Sequence, residues 1–262
     1  MKEHPLFGER SSLWRIRDTL NNSQDITRRN FLKKSGLIAA SATVLSCRET
    51  KNTEQKRYAM VIDLDKCYGC HSCSIACKSQ FDIPLGVFRS WVKVIERGSH
   101  GTTPIGPSVK RIYIPLLCNH CDDPPCVRGC PTSATYKRDD GIVVVNEEDC
   151  IGCKYCIQNC PYKARFINPI TLTANKCDFC LHRVKQGIAP ACVNTCNGQA
   201  RTFGDFNDPE SEISQLLMRN NSQVLMEGMG TNPRVFYLNL DQNAYTPGKT
   251  FLWHDELVRL HD

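Results

Sequence analysis

No stretch of this 262-residue chain reaches the roughly 20 consecutive apolar residues that a transmembrane helix requires. A Gly-rich phosphate loop or dinucleotide fingerprint is also missing, which removes the sequence signs of flavin or NAD binding. Net charge is modest: of the formal +6, residues 1–46 hold eight Lys/Arg against four Asp/Glu, leaving +2 for the remainder. Such a balance does not suggest nucleic-acid binding. What the chain has in abundance is cysteine, 17 in all, and 16 of them fall into four sets of four.

The first set is Cys67, Cys70, Cys73 and Cys77, spaced x2, x2, x3. The second is Cys118, Cys121, Cys126 and Cys130, followed by Pro131. Cys150, Cys153, Cys156 and Cys160, followed by Pro161, repeat the first spacing, and the fourth set is Cys177, Cys180, Cys192 and Cys196. Three ligands on one compact loop, with a fourth thiolate leaving on the next turn, is the arrangement of two-cluster ferredoxins, in which the last cysteine ligates the other cluster. Four sets therefore imply four [4Fe-4S] clusters, paired two by two. With each oxidised cubane and its thiolates adding about −2, the mature holoprotein would be near −6 despite a basic sequence pI.

Disulfides suit small secreted scaffolds that lack a core, whereas this chain has ample apolar sequence and very regular CxxC pairs. Zinc accepts CxxC pairs too, but gives no reason for a fourth cysteine four positions beyond a CxxCxxC triplet. Seven histidines are present, and His71, His120 and His182 lie near the sets. With all sixteen cysteine places filled, these histidines are expected to be loop or supporting residues, although histidine can replace cysteine at some iron–sulfur sites.

Residues 1–46 are expected to be a targeting segment. Thr27-Arg28-Arg29-Asn30-Phe31-Leu32-Lys33 resembles the twin-arginine export motif, and a weakly apolar run follows from Gly36 to Leu45. This predicts export of the folded protein to the periplasm or the outer face of the cytoplasmic membrane. Cys47 follows Val44-Leu45-Ser46, which resembles a lipoprotein cleavage box with a bulky Leu45. Simple cleavage nearby is preferred here over lipid anchoring at Cys47.

Residues 47–57 form a linker, 58–205 the four-cluster body and 206–262 a C-terminal extension. An internal repeat of about 83 residues sets the expected fold. Ala59–Leu64 and Gly141–Asn146 are β-rich runs, each ending at a ligand loop, and a short helix carries the chain to the fourth cysteine. Glycine before the second ligand, Gly69 and Gly152, lets backbone approach the cluster and supplies unusual φ/ψ. Pro131 and Pro161 end the following turn. Val87–Glu96 and Arg111–Leu117 are expected to pair as an inserted hairpin around a turn at 98–107. Beyond the last ligand, Ser211–Arg219 has helical spacing and Arg234–Leu240 strand character. The fold class is thus α+β, built of two bacterial-ferredoxin-like modules.

With these spacings, the x4 of Asp122-Asp123-Pro124-Pro125 and the x11 of the fourth set, residues 58–205 resemble the iron–sulfur electron-transfer (beta) subunits of the dimethyl-sulfoxide-reductase family of molybdenum oxidoreductases. Arg57–Asp63, Leu117–Cys121 and Pro233–Leu238 are similar to tetrathionate reductase beta subunits. Polysulfide, thiosulfate, selenate and arsenate reductase relatives share most of these features.

The resemblance implies crossed ligation. Cys67, Cys70 and Cys73 would share a cluster with Cys196, and Cys177, Cys180 and Cys192 one with Cys77. Likewise Cys118, Cys121 and Cys126 would pair with Cys160, and Cys150, Cys153 and Cys156 with Cys130. Sets one and four then make one module, and sets two and three the other. Some relatives, such as nitrate reductase, carry tryptophan at the place of Cys153 and hold a three-iron cluster; cysteine implies a full cubane. The family further implies an integral-membrane quinol-binding subunit, a molybdopterin catalytic subunit, and electrons arriving at the Cys118 cluster, passing those of Cys150 and Cys177, and leaving from that of Cys67.

The expected function is electron transfer without catalysis by this chain, toward an oxyanion or sulfur compound such as tetrathionate. A self-contained iron–sulfur enzyme would need a missing ligand or an added cofactor motif. A beta subunit of an exported hydrogenase or formate dehydrogenase feeding quinone is the other alternative, but those commonly carry a C-terminal membrane helix.

Overall fold

The computed structural model describes residues 55–99 and 108–240. The export segment 1–46, Cys47, residues 100–107 of the expected turn and everything from 241 onward lie outside the described residues. Among the described residues no helix is long and apolar enough to cross a membrane.

The apolar run Ala59-Met60-Val61-Ile62 forms the middle of strand β1 (Tyr58–Asp63) and is buried on both faces, at 1% exposure or less. A strand covered on both sides reads as continuous apolar sequence. It lies second in a four-stranded sheet of order β8-β1-β10-β9, where β8 is Arg201–Asp205, β9 Ser222–Gln223 and β10 Val235–Leu238. β8 runs antiparallel to β1 and β10 parallel, with Met60 opposite both Phe203 and Val235. The extension after residue 205 thus supplies a strand hydrogen-bonded directly to β1.

One face of this sheet is covered by the inserted hairpin, β2 (Ser90–Ser99) with β3 (Ser108–Leu117), which pair antiparallel over their full lengths. Val92, Ile114, Leu116 and Leu117 enter the same core as Met60, Ile62 and Tyr237. The tyrosine hydroxyl donates to the Pro115 carbonyl at 2.8 Å. β2 starts later than Val87 because Arg89 turns inward, donating to Asn175 at 2.6 Å and covering the Phe81 ring at 4.0 Å.

The other face takes Ile213 of the helix Glu212–Arg219, packed on Ala59, Val61 and Leu238. The Ser211 hydroxyl caps that helix by accepting from the Ser214 N–H at 3.3 Å, a typical N-cap bond.

The ligand segments hang from this frame as short helices and two-stranded ribbons. α1 (Ser72–Phe81) carries Cys73 and Cys77. α2 (Pro125–Arg128) carries Cys126, α3 (Tyr155–Gln158) Cys156, and α5 (Ala191–Asn194) Cys192; α4 (Leu181–Val184) follows Cys180. β4 (Thr135–Lys137) pairs with β5 (Val143–Val145), and β6 (Phe166–Ile167) with β7 (Ala174–Asn175). Asp122 ties these parts together. Its carboxylate meets Arg57 at 2.5 Å and Lys137 at 2.7 Å, and also pairs with Arg234, so the approaches to β1, β4 and β10 converge on one anion.

Candidate metal centres

In each set the residue before the second cysteine has positive φ: Gly69 at 75°, His120 at 44°, Gly152 at 68° and Phe179 at 54°. Glycine takes this conformation freely, whereas a bulky residue there is strained. The two glycines behave as the sequence predicts, and space as well as φ demands them. A β-carbon at Gly69 would come within 2.2 Å of the Tyr113 ring, and one at Gly152 within 2.6 Å of the Leu172 carbonyl.

All sixteen described cysteines are free thiols. Cys67, Cys70, Cys73 and Cys196 line one small cavity, together with Arg201. A second small cavity is lined by Cys118, Cys121, Cys126 and Cys160, with Tyr162 and Arg165. Cys177 and Cys77 face one another and Cys192, while Cys77 also faces Cys180. Cys150 and Cys156 pack with Cys126 in one apolar cluster. For Cys130 the hydrogen bonds come from its own loop, the Thr135 N–H at 3.4 Å and the Thr132 hydroxyl.

A single ion needs its donors within roughly 2.3 Å of one point. Among the described residues no group of three or more histidine, cysteine or carboxylate side chains meets that need. Thiols that ring a cavity, as the Cys67 and Cys118 quartets do, suit a polynuclear cluster.

The electrostatics agree. Burial pushes the Cys77 and Cys121 thiols up to about 12 and Cys160 to about 11, each aided by neighbouring thiols. Several buried thiolates cannot coexist without a compensating cation, which bound iron would supply. Backbone N–H groups of Ala174, Phe179 and Ala200 point at the sulfurs of Cys150, Cys177 and Cys196, at 3.3, 3.4 and 3.2 Å. Such donors favour the charged form of a thiolate and tune a bound cluster.

The sets also stand in an order. Cys192 faces Cys73, joining the fourth set to the first. Cys177 faces Cys118, joining the fourth to the second. Arg165 faces both Cys126 and Cys156, joining the second to the third. The series is therefore Cys67, Cys177, Cys118, Cys150, with Cys70 and Cys153 exposed at its two ends and all four thiols of the Cys118 quartet buried. This corrects the sequence expectation that the Cys118 set stands outermost: β10 and the 231–232 segment, which no local spacing announces, cover it. Asn232 and Thr231 accept from the backbone N–H groups of Asp122 and Asp123.

His71 lines the Cys67 cavity beside its four thiols, whereas His182 lines neither of the two cavities. His71 begins α1 in a left-handed conformation, and His182 meets the Phe81 ring edge-on. His120, completely buried, accepts from the Val143 N–H at 3.0 Å through Nδ1, leaving Nε2 without a partner. Its pKa lies well below the ordinary value, through burial first and then Lys176 and Arg165, so the ring is neutral.

Fold and thiol rings together define a ferredoxin-like iron–sulfur protein, and the family model for a 4Fe-4S dicluster domain matches residues 109–206. The B subunit of tetrathionate reductase from Salmonella typhimurium is 44% identical over 236 residues, which is 86% of this chain and 93% of that protein. A putative dimethyl sulfoxide reductase iron–sulfur subunit from Halobacterium salinarum is 38% identical, covering 76% of this chain and 86% of its own length. The B chain of polysulfide reductase from Wolinella succinogenes is 41% identical, covering 69% of this chain and 93% of its own length. This protein belongs to the iron–sulfur electron-transfer (beta) subunits of the dimethyl-sulfoxide-reductase family of molybdoenzymes.

Proposed function

We propose that this chain carries four [4Fe-4S] clusters in two ferredoxin-like modules and conducts electrons from a membrane quinol-oxidising subunit to a molybdopterin catalytic subunit that reduces tetrathionate. The ligand sets are Cys67, Cys70, Cys73 with Cys196; Cys177, Cys180, Cys192 with Cys77; Cys118, Cys121, Cys126 with Cys160; and Cys150, Cys153, Cys156 with Cys130. When bound, each cluster supplies reversible one-electron chemistry. The protein's part is to space the sites, exclude water from the inner two and leave an accessible edge at each end.

The observation that carries this reading is the linear series of thiol sets with exposed cysteines only at its ends, Cys70 and Cys153. Electrons enter at the Cys150 end and leave at the Cys67 end. The similarity to a tetrathionate reductase subunit over most of both chains favours that oxidant. The Thr27–Lys33 motif supports export in the folded, metal-loaded state, and the complex is assigned to the outer face of the cytoplasmic membrane.

The test is reoxidation of the dithionite-reduced native complex, purified anaerobically through a tag on this chain. Iron–sulfur absorbance is followed while tetrathionate, polysulfide, selenate and arsenate are added in turn. Rapid recovery with tetrathionate alone is expected; recovery with another oxidant renames the reductase. Failure of all four, with a molybdenum subunit co-purifying, would favour the donor-oxidising alternative.

A further inference from the structure

The fourth cysteines of the third and fourth sets open the same short sequence, Cys160-Pro-Tyr-Lys-Ala164-Arg165 and Cys196-Asn-Gly-Gln-Ala200-Arg201. Each alanine is nearly fully buried, at 1% and 4% exposure, so the arginine after it is drawn inward behind it. Both arginines are only 3% exposed. A buried guanidinium is costly unless negative charge and acceptors surround it.

Neither arginine has a carboxylate partner among the ion pairs of the described residues; each faces thiols instead. Arg201 donates from Nη2 to the Cys73 sulfur at 3.4 Å and to the Ser90 hydroxyl at 3.0 Å. Arg165 donates to the Cys126 sulfur at 3.0 Å and to the Thr135 hydroxyl at 3.1 Å. One nitrogen of each, Nη1 of Arg201 and Nε of Arg165, is buried with no partner in the protein. The two sites are built alike: a cavity ringed by four thiols, one buried cation on its wall, a hydroxyl holding the fork, and a spare N–H.

Each arginine also lies within electrostatic reach of the neighbouring set. Arg201 faces Cys192 as well as Cys73, and Arg165 faces Cys156 as well as Cys126. One guanidinium therefore stands between the two sets of each half of the series.

We infer that Arg201 and Arg165 are paired potential-setting residues, each raising the reduction potential of the cluster whose thiolate it touches and of that cluster's neighbour. The inference rests on the four-cluster reading above. One electron converts a cubane with four thiolates from a dianion to a trianion, and a fixed cation in a low-dielectric site favours the more negative state. The charge-assisted N–H···S bonds act in the same direction. Arg201 thereby sets the electron-donating end of the series, the Cys67 cluster, and Arg165 the inner Cys118 cluster.

The native complex is titrated potentiometrically with electron paramagnetic resonance detection, signals being assigned with Cys70→Ser and Cys121→Ser. Iron and acid-labile sulfide are counted in every sample. Arg201→Gln should lower the reduced-to-oxidised ratio of the Cys67 cluster about tenfold at fixed ambient potential, about 59 mV for one electron, and shift the Cys177 cluster in the same direction. Arg165→Gln should do the same for the Cys118 cluster and leave that of Cys67 unmoved. Arg201→Lys, which keeps the charge but loses the fork, should restore most of the ratio. If glutamine costs the cluster itself, the lysine variant decides by a small fall confined to the Cys67 and Cys177 pair. Unchanged potentials with full iron content, or an equal shift of all signals, would overturn the inference alone. Iron well below four clusters in the unmutated complex would instead overturn the reading beneath it.

Discussion

His120 lies flat on Phe179, the ring centroids 3.7 Å apart and the planes 25° from parallel. Each occupies the place before the second cysteine of its set, and each holds the positive φ that glycine supplies in the other two. The contact joins the second set to the fourth across the middle of the series. The strain of two bulky left-handed residues is offset by packing, since both side chains are buried to 1% or less. Phe179→Ala should cost about 3–5 kcal/mol through the lost ring and the cavity left behind. Thermal unfolding of the holoprotein followed by cluster absorbance measures it. Phe179→Gly, which relieves φ but also removes the ring, should be no better than alanine by more than about 1 kcal/mol; near-wild-type stability would show that strain dominates the contact.

Asp122 pairs with Arg57, Lys137 and Arg234. Asp122→Ala leaves three cations facing one another in a partly buried site. A loss of about 2 kcal/mol is expected, larger than for an exposed pair. The exposed pair of Arg111 with Glu96 provides the comparison, and Glu96→Ala should cost clearly less than Asp122→Ala. Equal midpoints in denaturant for the two variants would contradict the role given to Asp122.

Gly152→Ala would place a β-carbon within 2.6 Å of the Leu172 carbonyl while also straining φ. Backbone cannot rotate away as a side chain can, so the third loop should open. The expected result is loss of about one cluster's iron, with the Cys67 site intact. Full iron content in this variant would show that the 170–172 loop yields.

Iron removal by a chelator under reducing conditions should unfold the body. With the Cys77 and Cys121 thiols pushed up to about 12, these two stay protonated without iron, and the metal bonds that cross-link the ligand loops to the core are lost. Far-ultraviolet circular dichroism that keeps its native amplitude after demetallation would refute this.

Cys153→Ser at one exposed end should abolish quinol-driven reduction while sparing reduction of the oxidant by an artificial donor that feeds the catalytic subunit directly. If Cys153→Ser spares quinol-driven turnover in the assembled complex, electrons do not enter through the third set.

The sixteen cysteines and their grouping were legible without coordinates because ligand spacing within a loop is a local property. So were β1, the hairpin, the helix after Ser211 and the glycines at 69 and 152, each set by nearest-neighbour pattern or φ. His120 and Phe179 were not read as the counterparts of those glycines, because residue type conceals a shared φ. The recurrence of Cys-x3-Ala-Arg could have marked Arg165 and Arg201, but not what they touch. Arg201 meets Cys73 across 128 positions, and the parallel pairing of β10 with β1 spans the whole body. By itself the sequence determined how many thiols there are and how each loop presents them. Only the tertiary structure decided which sets are neighbours, which lie at the ends and which cations share their burial, since these depend on contacts between segments far apart in the chain.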